Sequence, residues 1–257
     1  MKVFHSCDYM KLQKFFKESV QELKHPYSYK MYFRKLGLVY LEYPKAASTT
    51  LKYSLLESEY DIPQEHLKPG DRFWRKFLPS THLKNEDEIK SNSFIFSLVR
   101  NPWWKTVSAF TDGKWNAHIL ACGGKLPNAR PSFDEFLDVL TDPKHKFSIK
   151  VVRKAKHYNW TRYSGDPHFF PWSTFFGDFK KPHKVYKFEE MNEFQNDLSS
   201  ISKLPIKFSE PKNVQAQLTG LKLRDFYSRQ SAAQIERLFQ CDIDRFGYSY
   251  NEHAFRS

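Results

Sequence analysis

Two short apolar runs, each ending in a proline-marked loop that opens a helix, constrain this chain more than any other feature. The first run, from Gly37 to Tyr43, predicts a strand over Leu38 to Tyr43. It leads into Pro44-Lys45-Ala46-Ala47-Ser48-Thr49-Thr50-Leu51-Lys52 and a helix from Thr49 to Glu57. The second run, Phe94 to Val99, predicts a strand followed by Arg100-Asn101-Pro102, where Pro102 suits the first turn of a helix. A strand that turns directly into a helix aims backbone N–H groups and nearby hydroxyls at an anion. The first loop therefore reads as a phosphate cradle. It is not a Walker A loop, which needs flanking glycines and a lysine at its end; here the lysine comes first and glycine is absent.

Elsewhere the pattern continues to alternate. Asp8 can cap a first helix in which Leu12, Phe15, Phe16, Val20 and Leu23 recur at helical spacing, ended by His25-Pro26. A polar connection marked by Pro63, Pro69 and Pro79 separates the two strand–loop–helix units. Ser132-Phe133-Asp134-Glu135 is a capping-box signature opening a helix through Leu140. Residues 141–183 read as loops with irregular helix; then come a third strand, Lys184 to Phe188, a helix from Glu189 towards Ser200, and a last helix from about Ser231 to Gln240. Strands alternating with helices predict an α/β fold, a central parallel sheet flanked by helices, with ligands at the carboxyl ends of the strands. At 257 residues the chain is expected to form a single domain over 1–257. Residues 111–183 are the expected acceptor-side insertion or lid.

Lysine and arginine outnumber aspartate and glutamate 41 to 29, so the net charge of +12 implies anionic partners. Cys7, Cys122 and Cys241 are few, scattered and odd in number, which favours a reducing compartment over a disulfide framework. The N-terminal stretch has no apolar h-region, and no run approaches the length of a membrane span. The expectation is a soluble, cytoplasmic protein. With no HExxH motif and no Cys/His ligand set, no metal is expected.

The second loop complements the first. In Val99-Arg100-Asn101-Pro102-Trp103-Trp104-Lys105-Thr106-Val107-Ser108-Ala109-Phe110, Arg100 leaves the strand end and Ser108 follows two helical turns on, so a guanidinium and a hydroxyl can hold one phosphate. Here the chain resembles the sulfotransferases. PKAASTTLK is similar to their 5'-phosphosulfate loop and VRNPWWKTVSAF to their 3'-phosphate motif, closest to the family 2 carbohydrate type with patterns near PKxxxTxxK and VRxPxxRxxSAF. Phe133 to Leu137, His168-Phe169-Phe170-Pro171 (an HWxP-like element), Val185 to Glu190, and Asp244 to Tyr248 (against a terminal DxxxFGY) extend the likeness. Lys105 stands where the family usually has arginine, and Asn101 where it has aspartate.

The resemblance implies a P-loop-like fold that binds 3'-phosphoadenylyl sulfate (PAPS) and moves its sulfuryl group to an acceptor hydroxyl of a carbohydrate or small metabolite. Pro44, Lys45, Ala46, Ala47, Ser48, Thr49 and Thr50 would hold the 5'-phosphosulfate, and Arg100 and Ser108 the 3'-phosphate. In such an in-line displacement charge grows on the bridging oxygen of the leaving group, which makes Lys45 the natural stabiliser. For the base that takes the acceptor proton, His82 and His168 compete and His82, between the two donor loops, is preferred, with Glu189 and Glu190 better read as a helix N-terminal charge pair. The aromatic group Tyr158, Trp160, Tyr163, Phe169, Phe170, Trp172, Phe175 and Phe176 reads first as core and lid packing, and Lys150, Arg153, Lys154 and Lys156 as a solvated face open to an anionic acceptor. The alternative function is a polyanion-binding module, for nucleic acid or sulfated glycan, with a degenerate nucleotide site. Two intact phosphate loops argue against it, so nucleic acid is not the expected partner. A nucleotide kinase lacks its Walker glycines.

Overall fold

A computed structural model describes residues 29–62, 81, 83, 86–122, 129–142, 144–145, 148, 150–154, 161–164, 166–176, 182–208 and 221–250. The strands among them are β1 (Lys30–Phe33), β2 (Leu38–Leu41), β3 (Phe94–Val99), β4 (Lys150–Lys154), β5 (Thr161–Ser164) and β6 (Lys184–Lys187). The helices are α1 (Ser48–Tyr60), α2 (Pro102–Thr111), α3 (Lys114–Ala121), α4 (Phe133–Thr141), α5 (Trp172–Phe176), α6 (Met191–Ile201), α7 (Arg229–Leu238) and α8 (Gln240–Phe246).

One mixed sheet has the order β1-β2-β3-β6, and β4 with β5 forms a separate antiparallel pair. β2, β3 and β6 run parallel, with Leu41 opposite Ser97 and Val99 opposite Lys187. This register brings the loops after all three strands to one edge. The fourth strand departs from the expected parallel sheet: β1 is antiparallel to β2, with Lys30 opposite Leu41. Four residues carry too little periodicity to declare a strand; what makes it one is the tight return through Gly37 at φ 71°. The carboxylate of Glu59 completes that turn by accepting from the N–H of Lys35 at 3.0 Å and of Leu36 at 3.1 Å.

Tyr40, Phe96 and Leu98 of the sheet pack in one core with Leu51 and Leu55 of α1 and Phe194 and Leu198 of α6, all buried. Each such side chain contributes roughly 1.5–3 kcal/mol by leaving water. Ser97 is a polar residue inside this core, and both roles of its hydroxyl are used: it donates to the Leu41 carbonyl and accepts from Trp172 Nε1, each at 2.8 Å. A second core joins Trp103, Trp104 and Val107 of α2 to Ile119 of α3, Phe136 and Leu140 of α4, and Ile235 of α7. Residues 114–121 and 133–141, inside the segment expected as an insertion or lid, thus supply two helices to this core.

Several boundaries differ from the sequence expectation. β2 stops at Leu41, and α1 extends to Tyr60, where Asp61 closes it in a left-handed conformation. The helix expected at Glu189 opens as a 3-10 turn over Phe188–Glu190 before α6 begins. The last predicted helix is two, breaking at Phe239 into α7 and α8, with Gly247 at φ 65° ending the second. β4 and β5 lie where loops were expected; a register shift between Val151 and Arg153 breaks the alternation that would have announced them. The capping box at Ser132 and Glu135 is present as predicted. The first predicted helix, the connection through Pro63, Pro69 and Pro79, His82, Tyr158, Trp160 and Lys156 fall outside the described residues. Of the remaining aromatic group, Phe169, Phe170, Trp172 and Phe176 are buried, as core packing requires. No helix among the described residues is long and apolar enough to cross a membrane.

Candidate active site

The loop after β2 is built under strain. Lys45 and Ala47 sit at φ 69° and 53°, left-handed values that disfavour any residue with a Cβ. Such residues cost on the order of 1–3 kcal/mol each and concentrate where function over-determines the backbone. The glycines of a Walker loop supply this conformation cheaply; here non-glycine residues adopt it. Ala47 is the N-cap of α1 and has no side chain with which to cap. The first turn of α1 thus presents its amides without a side-chain partner at the cap, beside the half-buried Ser48, Thr49 and Thr50.

Lys45 points its ammonium at Asp112, 3.1 Å away. Burial pulls the Lys45 pKa down, partly opposed by the Asp112 carboxylate. The last lysine of the motif behaves differently: Lys52 is buried and forms a 2.5 Å ion pair with buried Glu42. It is a structural cation of the α1–β2 packing.

Arg100 begins where β3 ends, and its Nη1 donates to the Lys45 carbonyl at 3.2 Å. The two loops that the sequence reads as a pair are therefore in contact. The guanidinium lies 4.7 Å from the centre of the Phe188 ring, in the loop after β6. Burial draws its pKa down to about 10, against the attraction of Glu189. Glu189 stands with Glu190 in the first turn of the 3-10 helix Phe188–Glu190, the helix-start pair expected, and has a further role. Its carboxylate accepts from the Asn101 N–H at 2.8 Å and from the Tyr248 hydroxyl at 3.0 Å, which ties the loops after β3 and β6 to the chain's terminal motif.

Asn101 caps α2, its side-chain oxygen accepting from the N–H of Trp103 at 3.1 Å and of Trp104 at 3.3 Å, so asparagine serves the role an aspartate would. Ser108 is buried in the second turn of α2. Lys105, one turn earlier, is fully buried. Its ammonium donates to the carbonyls of His168 and Phe170, the latter at 3.2 Å, and lies 4.6 Å from the centre of the Tyr43 ring.

Those carbonyls belong to the turn that holds His168, a 3-10 helix over Pro167–Phe169. Asp166 precedes it and accepts from both the His168 N–H at 2.9 Å and the imidazole Nδ1 at 2.6 Å. Burial raises the Asp166 pKa, but the hydrogen bonds and charge of His168 outweigh it and hold the carboxyl below its ordinary range. His168 is thus an oriented imidazole with its Nε2 turned away from Asp166. Buried His118 supports the turn from below, its Nδ1 accepting from the Asp166 N–H at 3.2 Å.

Asp112, Asp166 and Asp242 were missed by sequence reasoning, and each left a signal. Asp112 lies four residues after Ser108, hence on the same helix face; Asp166 stands two before His168, the spacing of an Asx turn. Asp242 is a correction of register. Read with three residues between Asp and Phe, the terminal pattern starts at Asp242 rather than Asp244. Asp242 is the buried carboxylate, accepting from the N–H groups of Trp172 and Ser173 at the start of α5. Burial pushes its pKa up.

The donor set fits a nucleotide carrying two separated anionic groups: a strained amide-rich loop with one lysine, and an arginine and buried serine on the neighbouring unit. Among the described residues no His, Cys, Asp and Glu group of three or more is arranged to hold a metal. No curated protein and no solved structure matches the chain. The model of the sulfotransferase family, of the family 2 type, matches residues 30–249, which span both loops, the His168 turn and Tyr248. The chain accordingly belongs to the sulfotransferase family and has the α/β fold and sulfuryl-transfer activity of that family.

Proposed function

We propose that the protein uses PAPS as its donor and sulfates an alcohol acceptor, a carbohydrate or a small metabolite. The observation that carries this reading is the contact between the Lys45 loop and Arg100, which joins two sequence-distant loops that each carry a cation. PAPS supplies an activated sulfuryl group, which passes to the acceptor oxygen as the bond to the bridging 5'-phosphate oxygen breaks. The amides and hydroxyls from Ala46 to Thr50 bind the 5' end, and Arg100 and Ser108 bind the 3'-phosphate. Lys45 leaves Asp112 to meet the negative charge that grows on the bridging oxygen, a role worth ~10²- to 10³-fold in rate.

His168 takes the acceptor proton at Nε2, with Asp166 fixing the tautomer and favouring the imidazolium that forms; His82 is the competing base. Adenosine 3',5'-bisphosphate is expected to raise the melting temperature, because any ligand of the native state does so. An acceptor screen with labelled PAPS then identifies the alcohol. A protein that binds neither PAPS nor the bisphosphate contradicts the proposal.

A further inference from the structure

We propose that Asp112 sets the charge preference of the donor site, favouring a singly charged sulfuryl terminus over a phosphoryl terminus. This rests on the donor reading above. Asp112 follows α2 directly, its N–H donating to the Ser108 carbonyl at 3.2 Å, so it stands one turn beyond the serine assigned to the 3'-phosphate. Its carboxylate lies 3.1 Å from Lys45 Nζ and 3.8 Å from Lys114 Nζ. Among the described residues it is the hydrogen-bond partner of the Lys45 ammonium. An acid in contact with the lysine of an anion cradle works against anion binding, and its presence calls for a reason.

Charge supplies one. Asp112 faces two ammoniums, and its carboxylate cancels one of their two positive charges. A sulfuric ester presents a single negative charge, whereas a terminal phosphoryl group carries about −1.5 to −2 near neutral pH. Asp112 therefore matches the site to sulfate and penalises the extra charge of phosphate. An added charge at about 6 Å, with an effective dielectric of about 20–40, changes affinity by about 10- to 100-fold. The Asp112 side chain is 45% exposed, so solvent and salt hold the effect near the lower figure. Lacking this carboxylate, the cradle would be open to competition from the phosphate-terminated nucleotides of the cell.

Calorimetric titration of two nucleotides differing only at the terminal atom tests this: PAPS and adenosine 3'-phosphate 5'-diphosphate. The wild type is expected to prefer PAPS. Asp112→Asn is expected to tighten PAPS about 10-fold and the diphosphate about 30- to 100-fold. Lys114→Met, which removes charge of the opposite sign, is expected to weaken the diphosphate more than PAPS. Equal changes for the two nucleotides in Asp112→Asn, or a loss of affinity for both, overturn the charge filter while leaving the donor assignment intact. Failure of the wild type to bind either nucleotide removes the donor assignment, and the filter with it.

Discussion

Lys105 is the residue whose burial makes the sharpest thermodynamic demand. It is fully buried, its ammonium held by two backbone carbonyls, with the Asp242 and Asp166 charges favouring protonation and Lys45 opposing it. Burial dominates and lowers its pKa from 10.5 to about 7. In the unfolded chain the lysine recovers its ordinary value, so between about pH 7 and 10.5 the unfolded state holds more protons than the native state. Stability must then rise with pH across that window, by at most about 1.4 kcal/mol per pH unit, and roughly 3.5 pH units correspond to about 5 kcal/mol. Below about pH 7 both states are protonated and the whole penalty is present. Lys105→Met keeps most of the volume and removes the titration. It also takes the lysine donor from the His168 carbonyl, a pH-independent cost of about 1–3 kcal/mol, while the Phe170 carbonyl keeps the Tyr43 hydroxyl at 3.1 Å. Guanidinium unfolding followed by the fluorescence of buried Trp103 and Trp104 can be measured from about pH 6.5 to 9.5. The wild type should gain about 2–3 kcal/mol relative to the variant over that range. Parallel stability curves for the two proteins refute the reasoning.

Three further outcomes follow from the site. Lys45→Ala should cut kcat by ~10²- to 10³-fold while changing stability by less than ~1 kcal/mol, since its partner Asp112 is largely exposed; a thermal-denaturation loss as large as the activity loss contradicts the assignment. Lys52→Met should cost about 3–5 kcal/mol because it strands buried Glu42, and Glu42→Gln/Lys52→Met should recover most of that; denaturant midpoints decide it, and a double variant no better than the single one argues against an ion-pair origin. His168→Ala should lower kcat by ~10²- to 10⁴-fold with bisphosphate affinity unchanged. Undiminished turnover assigns the base to His82.

The elements that sequence could announce are those with local causes. β3 is predicted residue for residue because five of its six positions are β-favouring or apolar and the run ends at Arg100-Asn101-Pro102. The start of α4 is legible because a capping box is a contact between residues three apart. β1 and the β4–β5 pair escape because their strand character comes from the partner they meet. Even inside the two anion loops the motif misleads at single positions. Lys45 and Lys52 look alike in the sequence, yet one faces the exposed carboxylate of Asp112 and the other a buried glutamate. The difference comes from the face of α1 that packs on β2, which no motif encodes.

The fold class, the two anion loops and the family are legible in the sequence, because strand periodicity, proline position and motif spacing are properties of short segments. Which charges meet is a matter of three-dimensional packing. The parallel register of β2, β3 and β6 brings Lys45, Arg100 and Glu189 to one edge, the burial of α2 turns Lys105 inward onto the His168 turn, and the end of α2 carries Asp112 back to the lysine of the first loop. These pairings are separated by 55 residues for Arg100 and Lys45, 88 for Asn101 and Glu189, and 67 for Lys45 and Asp112. A charge has no directional signature in sequence, and its partner is chosen by packing.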